Sequence, residues 1–187
     1  MLKAVDEVGS LSLVSKSQTK GIKGKLSEFS EIFDDIVEDI IPKKSQLQSA
    51  KIRAGETRFE IFSVKEDILF FQKDHDEYIL PTLKLVHRYP DLLPKMQIDK
   101  GGIKFILQGS NVMCPGLTSA GGKIDEKAEV GHPVAIYAEG KQHAMGIGIL
   151  IMSPEDIKNV NQGHCIQTYH VIGDGLWNFN DLSKGKK

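Results

Sequence analysis

From residue 17 to residue 41, apolar side chains return at Ile22, Leu26, Phe29, Ile32 or Phe33, Ile36 and Ile40, the spacing of one helix face. The length of that stripe predicts a break, with Ser27 or Ser30 capping a second helix and Pro42 closing the unit. The pattern then changes. Strand-like runs follow at 47–53, 58–64 and 68–73, the last two joined by a tight polar turn at Lys65-Glu66-Asp67. Pro81 suits the first position of a short helix, whose apolar side is Leu83, Leu85, Val86 and Tyr89. Pro90 and Pro94 stop that helix, and two prolines so close predict a short stiff connection over 91–95.

Beyond this connection the chain carries dense backbone instructions. Asp99 predicts a cap for a short helix with Ile103, Ile106 and Leu107 on one face, and Gly109 supplies the left-handed residue that ends it. A strand at Val112-Met113 and a sharp turn at Pro115-Gly116 are expected next. Ser153-Pro154-Glu155-Asp156 is a helix start with a cap, a proline and dipole-favoured acids. Residues 165–172 and 176–179 read as closing strands around a Gly173-Asp174-Gly175 turn.

The 187 residues suffice for one ordinary domain or two small ones. With 40% hydrophobic and 26% charged residues the chain is that of a soluble globular protein. A net charge of −1 leaves no global field for nucleic acid, so any such affinity rests on a local basic surface. Tight nonspecific DNA binding is not expected. Cys114 and Cys165 are too few for a disulfide framework and too far apart for a metal motif, which favours a reducing compartment. No run approaches the ~20 apolar residues of a membrane span, and the N-terminus lacks a secretory pattern. A cytoplasmic protein is expected, with a basic tail over 182–187.

The candidate chemistry argues against catalysis. His75, His87, His132, His143, His164 and His170 show no zinc-ligand spacing, so no metal and no cofactor are expected. Cys114 with His143 would be a nucleophile and base, but Cys114 ends an apolar run, where a buried small hydrophobe is the expected role. The glycines at 101, 102, 109, 116, 121 and 122 fit no nucleotide-binding fingerprint. Lys100 and Lys104, four residues apart, share one side of their helix and suit phosphate contacts. Lys16, Lys20, Lys23 and Lys25 form a second basic cluster, read as a solvated surface. Phe70, Phe71 and Trp177 are assigned to a core or a domain interface.

The segment from Ile98 to Thr118 resembles the opening of a PUA domain, an RNA-binding module. Residues 134–139, the Gly140-Lys141 turn and residues 144–150 are similar to the central hairpin of that fold. The motifs FFQK at 70–73, LPTLKLVHRYP at 80–90, MCPGLTS at 113–119, AEGKQHA at 138–144 and DGLW at 174–177 extend the likeness over nearly the whole chain. By them it is identified as a member of the malignant T-cell amplified sequence family.

The resemblance implies an α+β protein, with an N-terminal α/β domain over 1–94 packed on a PUA domain over 95–181. The latter would be a mostly β pseudo-barrel with two short helices. It also implies a noncatalytic translation factor that binds the small ribosomal subunit. The expected RNA is 18S-type rRNA or the acceptor end of tRNA. The expected partner is density-regulated protein, with roles in reinitiation and post-termination recycling. An RNA-binding subunit of an RNA-modification apparatus is the alternative. The residues expected at the RNA are Lys100, Lys104, Gly109, Ser110, Asn111, Met113, Lys141 and His143.

Overall fold

The computed structural model describes residues 2–30, 32–180 and 182, so the 183–187 part of the tail lies outside the described residues. The first half holds strands β1 (Glu7–Val8) and β2 (Ser12–Leu13), helices α1 (Lys16–Ser27) and α2 (Phe33–Ile40), then β3 (Leu47–Ala54), β4 (Thr57–Val64), β5 (Asp67–Lys73), β6 (Ile79–Pro81) and helix α3 (Leu83–Arg88). These strands form one antiparallel sheet in the order β1-β3-β4-β5-β6, with β2 also on β3. Both hairpins turn on a left-handed residue, Gly55 and Lys65, which gives two-residue loops the twist of the flanking strands.

The second half runs β7 (Lys95–Ile98), a 3-10 turn (Lys100–Gly102), α4 (Ile103–Leu107), β8 (Val112–Met113), α5 (Cys114–Thr118), β9 (Pro133–Ala138), β10 (Gly146–Leu150), α6 (Pro154–Val160), β11 (His164–Val171) and α7 (Gly175–Asn178). Its sheet, in the order β7-β9-β10-β11-β8, is antiparallel except where β7 lies parallel to β9. It curls into a half-barrel, so the chain is α+β as expected.

Every residue of β9 and β10 is buried, because this sheet is covered on both faces. Alternate residues go to different cores: Val134, Ile136 and Ala138 face the core of the second half, while Ala135, Tyr137, Ile147 and Ile149 join that of the first. Each isoleucine so placed contributes about 1.5–3 kcal/mol, so the two halves share a substantial apolar interface. Polar contacts across it include His87 Nε2 with Ala144 O at 2.7 Å and the Tyr169 hydroxyl donating to Asp76 Oδ2 at 2.6 Å. The stiff proline segment is thus only part of what orients the halves.

Several local expectations are corrected. Neither Ser27 nor Ser30 caps α2, whose N-cap position is Ile32 and carries no side-chain cap; the Ser27 hydroxyl instead donates to Asp34 Oδ1 at 2.7 Å. The cap that does form is Ser15 on α1, in a reciprocal box with Gln18. Pro81 ends edge strand β6, where its missing N–H costs no ladder bond, and Thr82 caps α3 by accepting from Leu85 N. Pro115-Gly116 lies inside helix α5 rather than at a corner.

Residues 176–179 are mostly helix α7, not a strand, because the Asp174 carboxylate accepts from Trp177 N and starts a turn. Among the described residues the second half therefore has four short α-helices instead of two. Leu182, assigned to the tail, is buried with Leu176 and Phe179 in the core of the first half.

The chain's opening residues cross α7 at close quarters. Gly175 N donates to Leu2 O at 2.9 Å, and a Cβ built on Gly175 would stand 1.6 Å from Lys3 O. Gly175→Ala is expected to displace residues 2–4 and lower stability by about 1–3 kcal/mol. Thermal unfolding together with faster N-terminal proteolysis would register this; an unchanged melting temperature would contradict it.

Candidate nucleic-acid interface

Asp99 sets the geometry of the candidate face. Its Oδ1 accepts from Gly102 N at 3.0 Å, starting the 3-10 turn that leads into α4. Two bonds close the helix, Gly109 N to Ile106 O at 2.8 Å and Ser110 N to Phe105 O at 3.0 Å, with Gly109 at φ +86°. This is a Schellman closure, and its left-handed position favours glycine. A five-residue helix so tightly closed buries little: Ile106 is inside, whereas Phe105 is 51% and Leu107 36% exposed.

Phe105 and Met113, the latter 46% exposed on β8, stand at a groove of about 460 Å³. Asp99, Ser110, Asn111, Pro115 and His164 complete much of its lining, which is predominantly apolar. The sequence reading placed Ser110, Asn111 and Met113 here but missed Phe105 and His164. The available signal was Phe105 itself, one residue out of phase with the Ile103/Ile106 stripe and therefore turned outward.

Lys100 and Lys104 share the segment that builds this groove. Lys104 Nζ is 4.8 Å from the Phe105 ring centroid, and Lys100 Nζ is 3.9 Å from Glu139 Oε1. That second contact brings the β9–β10 turn, with exposed Lys141, alongside the 3-10 turn. Three of the expected cations are thus grouped near one end of the half-barrel.

The remaining candidates are used differently. Asn111 Oδ1 accepts from Thr168 N at 3.0 Å and Ser110 O from the Thr168 hydroxyl at 2.9 Å, joining β8 to β11 at an irregular register. The Asn111 amide nitrogen and the exposed Ser110 side chain are left to meet a ligand. Gly109 lines a separate cleft with Lys73, Gln167 and Thr168. His143 is turned toward the first half, its ring 5.1 Å from that of His87, which in turn lies 5.4 Å from Trp177.

The Cys114–His143 pairing is not assembled. Cys114 is fully buried, its thiol against Met152 Sδ at 3.5 Å and Gln162 O at 3.3 Å. Burial, with Cys114 beside it, pushes the Cys165 thiol up to about 12, where it is no nucleophile. Phe70 and Phe71 are wholly buried and Trp177 is half-buried at the interface, so none offers a free stacking face. Among the described residues no three His, Cys, Asp or Glu side chains are gathered as a metal site requires, and no helix is long and apolar enough to cross a membrane. In the α1 basic cluster, Lys25 Nζ donates to Glu77 O at 3.2 Å.

Residues 2–90 match the pre-PUA-like domain family and residues 94–172 the PUA domain family. In solved structures the fold recurs in a hypothetical protein of Pyrococcus horikoshii, with TM-score 0.73 at 23% identity over 92% of this chain and 100% of that one. It recurs also in a conserved PUA domain protein from Thermoplasma acidophilum, with TM-score 0.63 at 19% identity and the same coverage. The chain is 45% identical over 177 residues to translation machinery-associated protein 20 of Saccharomyces cerevisiae, spanning 94% of this chain and 95% of that protein. Human malignant T-cell-amplified sequence 2 is 44% identical over 180 residues, 95% and 97% of the two chains. With relatives this close over nearly their whole length, and with both domains in order, the chain belongs to the family of the translation machinery-associated protein 20 and malignant T-cell-amplified sequence proteins.

Proposed function

We propose that this chain is a noncatalytic, cytoplasmic translation factor that binds RNA of the small ribosomal subunit or the acceptor end of tRNA. Acting with density-regulated protein, it promotes reinitiation and recycling after termination. The observation that carries this reading is the full-length kinship with proteins named for the translation machinery. The PUA match and the clustered lysines support RNA as the ligand. Mechanism here means positioning: two halves locked by a shared apolar sheet present their surfaces in one orientation, and no bond is made or broken.

The geometry supports a division of labour on the candidate face. Lys100, Lys104 and Lys141 are exposed point charges suited to phosphates. The groove between Phe105 and Met113 offers apolar surface and few charges, which suits side chains of the protein partner better than a phosphate backbone.

Sedimentation with purified small ribosomal subunits across a salt series, with and without density-regulated protein, tests the reading. Salt-sensitive association strengthened by the partner is expected. In the Lys100→Ala, Lys104→Ala, Lys141→Ala triple variant, the slope of log affinity against log salt should fall by about 2–3, as loss of three phosphate contacts requires. No association in any condition would overturn the reading and favour a subunit of an RNA-modification apparatus.

A further inference from the structure

A cleft of about 520 Å³, more spacious than the Phe105 groove, lies where the α1–α2 junction, the proline segment and the loop before β9 meet. Its apolar lining comes from Phe29, Ile32, Leu92, Leu93 and Pro94, with the Phe29 ring 6.4 Å from that of His132. Ser30 lines the same cleft. It is only 8% exposed, and its hydroxyl has no hydrogen-bond partner among the described residues. A buried hydroxyl left unpaired is costly, so this is a polar atom that a ligand can satisfy.

The rim carries one predominant sign. Glu28, Asp91, Asp125 and Glu129 face Lys95 and Lys127, and Lys95 is committed to Asp91 at 2.6 Å. The Ser27 hydroxyl donates to Asp34 at the start of α2, a helix that contains no basic residue; its acids lie outside the cleft lining, and Glu38 is 4.0 Å from Lys43. Such a surface repels a polyanion and attracts lysine and arginine. It is separate from the lysine-bearing face around Phe105.

Apolar floor, unpaired buried hydroxyl and acidic rim together describe one kind of occupant. We propose that this cleft docks an extended peptide segment of a protein partner, with an apolar side chain on the floor and lysine or arginine on either side. Because Ser30, Leu93 and His132 come from three successive parts of the chain, the bound segment would touch both halves and the connection between them.

The test is selection of a random displayed-peptide library against the immobilised full-length chain, followed by affinity measurement on synthetic copies of the selected peptides. A class with at least two Lys or Arg flanking an aliphatic or aromatic residue is expected. That class should bind about tenfold or more weakly to the Glu28→Lys, Glu129→Lys double variant. It should lose affinity several-fold on Ser30→Ala, and be indifferent to Phe105→Asp. A single-stranded RNA oligomer should bind no more weakly to the double variant than to the parent chain. The proposal is overturned if no selected peptide is sensitive to the charge reversal, if the sensitive ones are acidic, or if the reversal weakens the RNA instead.

Discussion

Replacing Asp174 by alanine is expected to lower the unfolding free energy by about 3–5 kcal/mol, the range for stripping one partner from a buried polar pair. Asp174 and His170 are each 1% exposed, and Asp174 Oδ2 accepts from His170 Nδ1 at 2.8 Å and from Val171 N at 3.0 Å. Its other oxygen accepts from Trp177 N at 2.8 Å. Alanine would therefore orphan three donors at once, two of them on residues nine-tenths or more buried. The loss would also travel. The His170 ring packs edge-on to Phe71 at 5.5 Å, and the α7 turn that Asp174 starts carries Leu176 and Phe179 into the core of the first half. Urea unfolding followed by Trp177, the one tryptophan, would read the change directly. Asp174→Asn keeps the shape and one acceptor, so it should cost less than half as much. A loss under 1 kcal/mol for the alanine variant would contradict this account.

The second large effect is expected in association. Phe105→Asp should weaken binding to density-regulated protein by about 30-fold or more, as removal of a central aromatic anchor costs roughly 2 kcal/mol or more. The variant places a charge on a groove whose lining is mainly apolar, while its own fold should be little affected, since the ring is half outside already. Titration calorimetry with the purified partner measures it, with circular dichroism as the check on folding. The lysine triple variant should retain partner affinity and lose ribosome binding. If Phe105→Asp leaves partner affinity unchanged, the groove is not the partner's seat, and nucleobases become its better occupant.

Much of the candidate face was legible from the residues because its devices are local. Gly109 and the short strand at Val112-Met113 act within a few residues and are used as read, while Asp99 caps the 3-10 turn ahead of the helix rather than the helix itself. The Ser153 cap and the Lys65-Glu66 turn are of the same kind. Misreadings fell where a longer-range partner decided. Residues 176–179 look equally apolar as helix or strand, and only the capping bond from Asp174 and the receiving core choose the helix. Along the chain Pro81 has the look of a helix start, because its pairing with Phe70 across β5 and β6 is visible only in the folded sheet. The packing of His143 against His87, and the second cleft that Gly109 borders, depend on the curl of the half-barrel and are likewise invisible along the chain.

By itself the sequence determined the order and kind of most elements and the family. Those follow from side-chain periodicity, caps and turn chemistry, which act over a single turn or hairpin. Only the tertiary structure decided that β9 and β10 serve two cores, and that the Ser30 hydroxyl has no partner among the described residues. Exposure and hydrogen-bond satisfaction are properties of what surrounds a residue. For this chain those surroundings come from segments tens of residues away, brought together by the apolar sheet between the two halves.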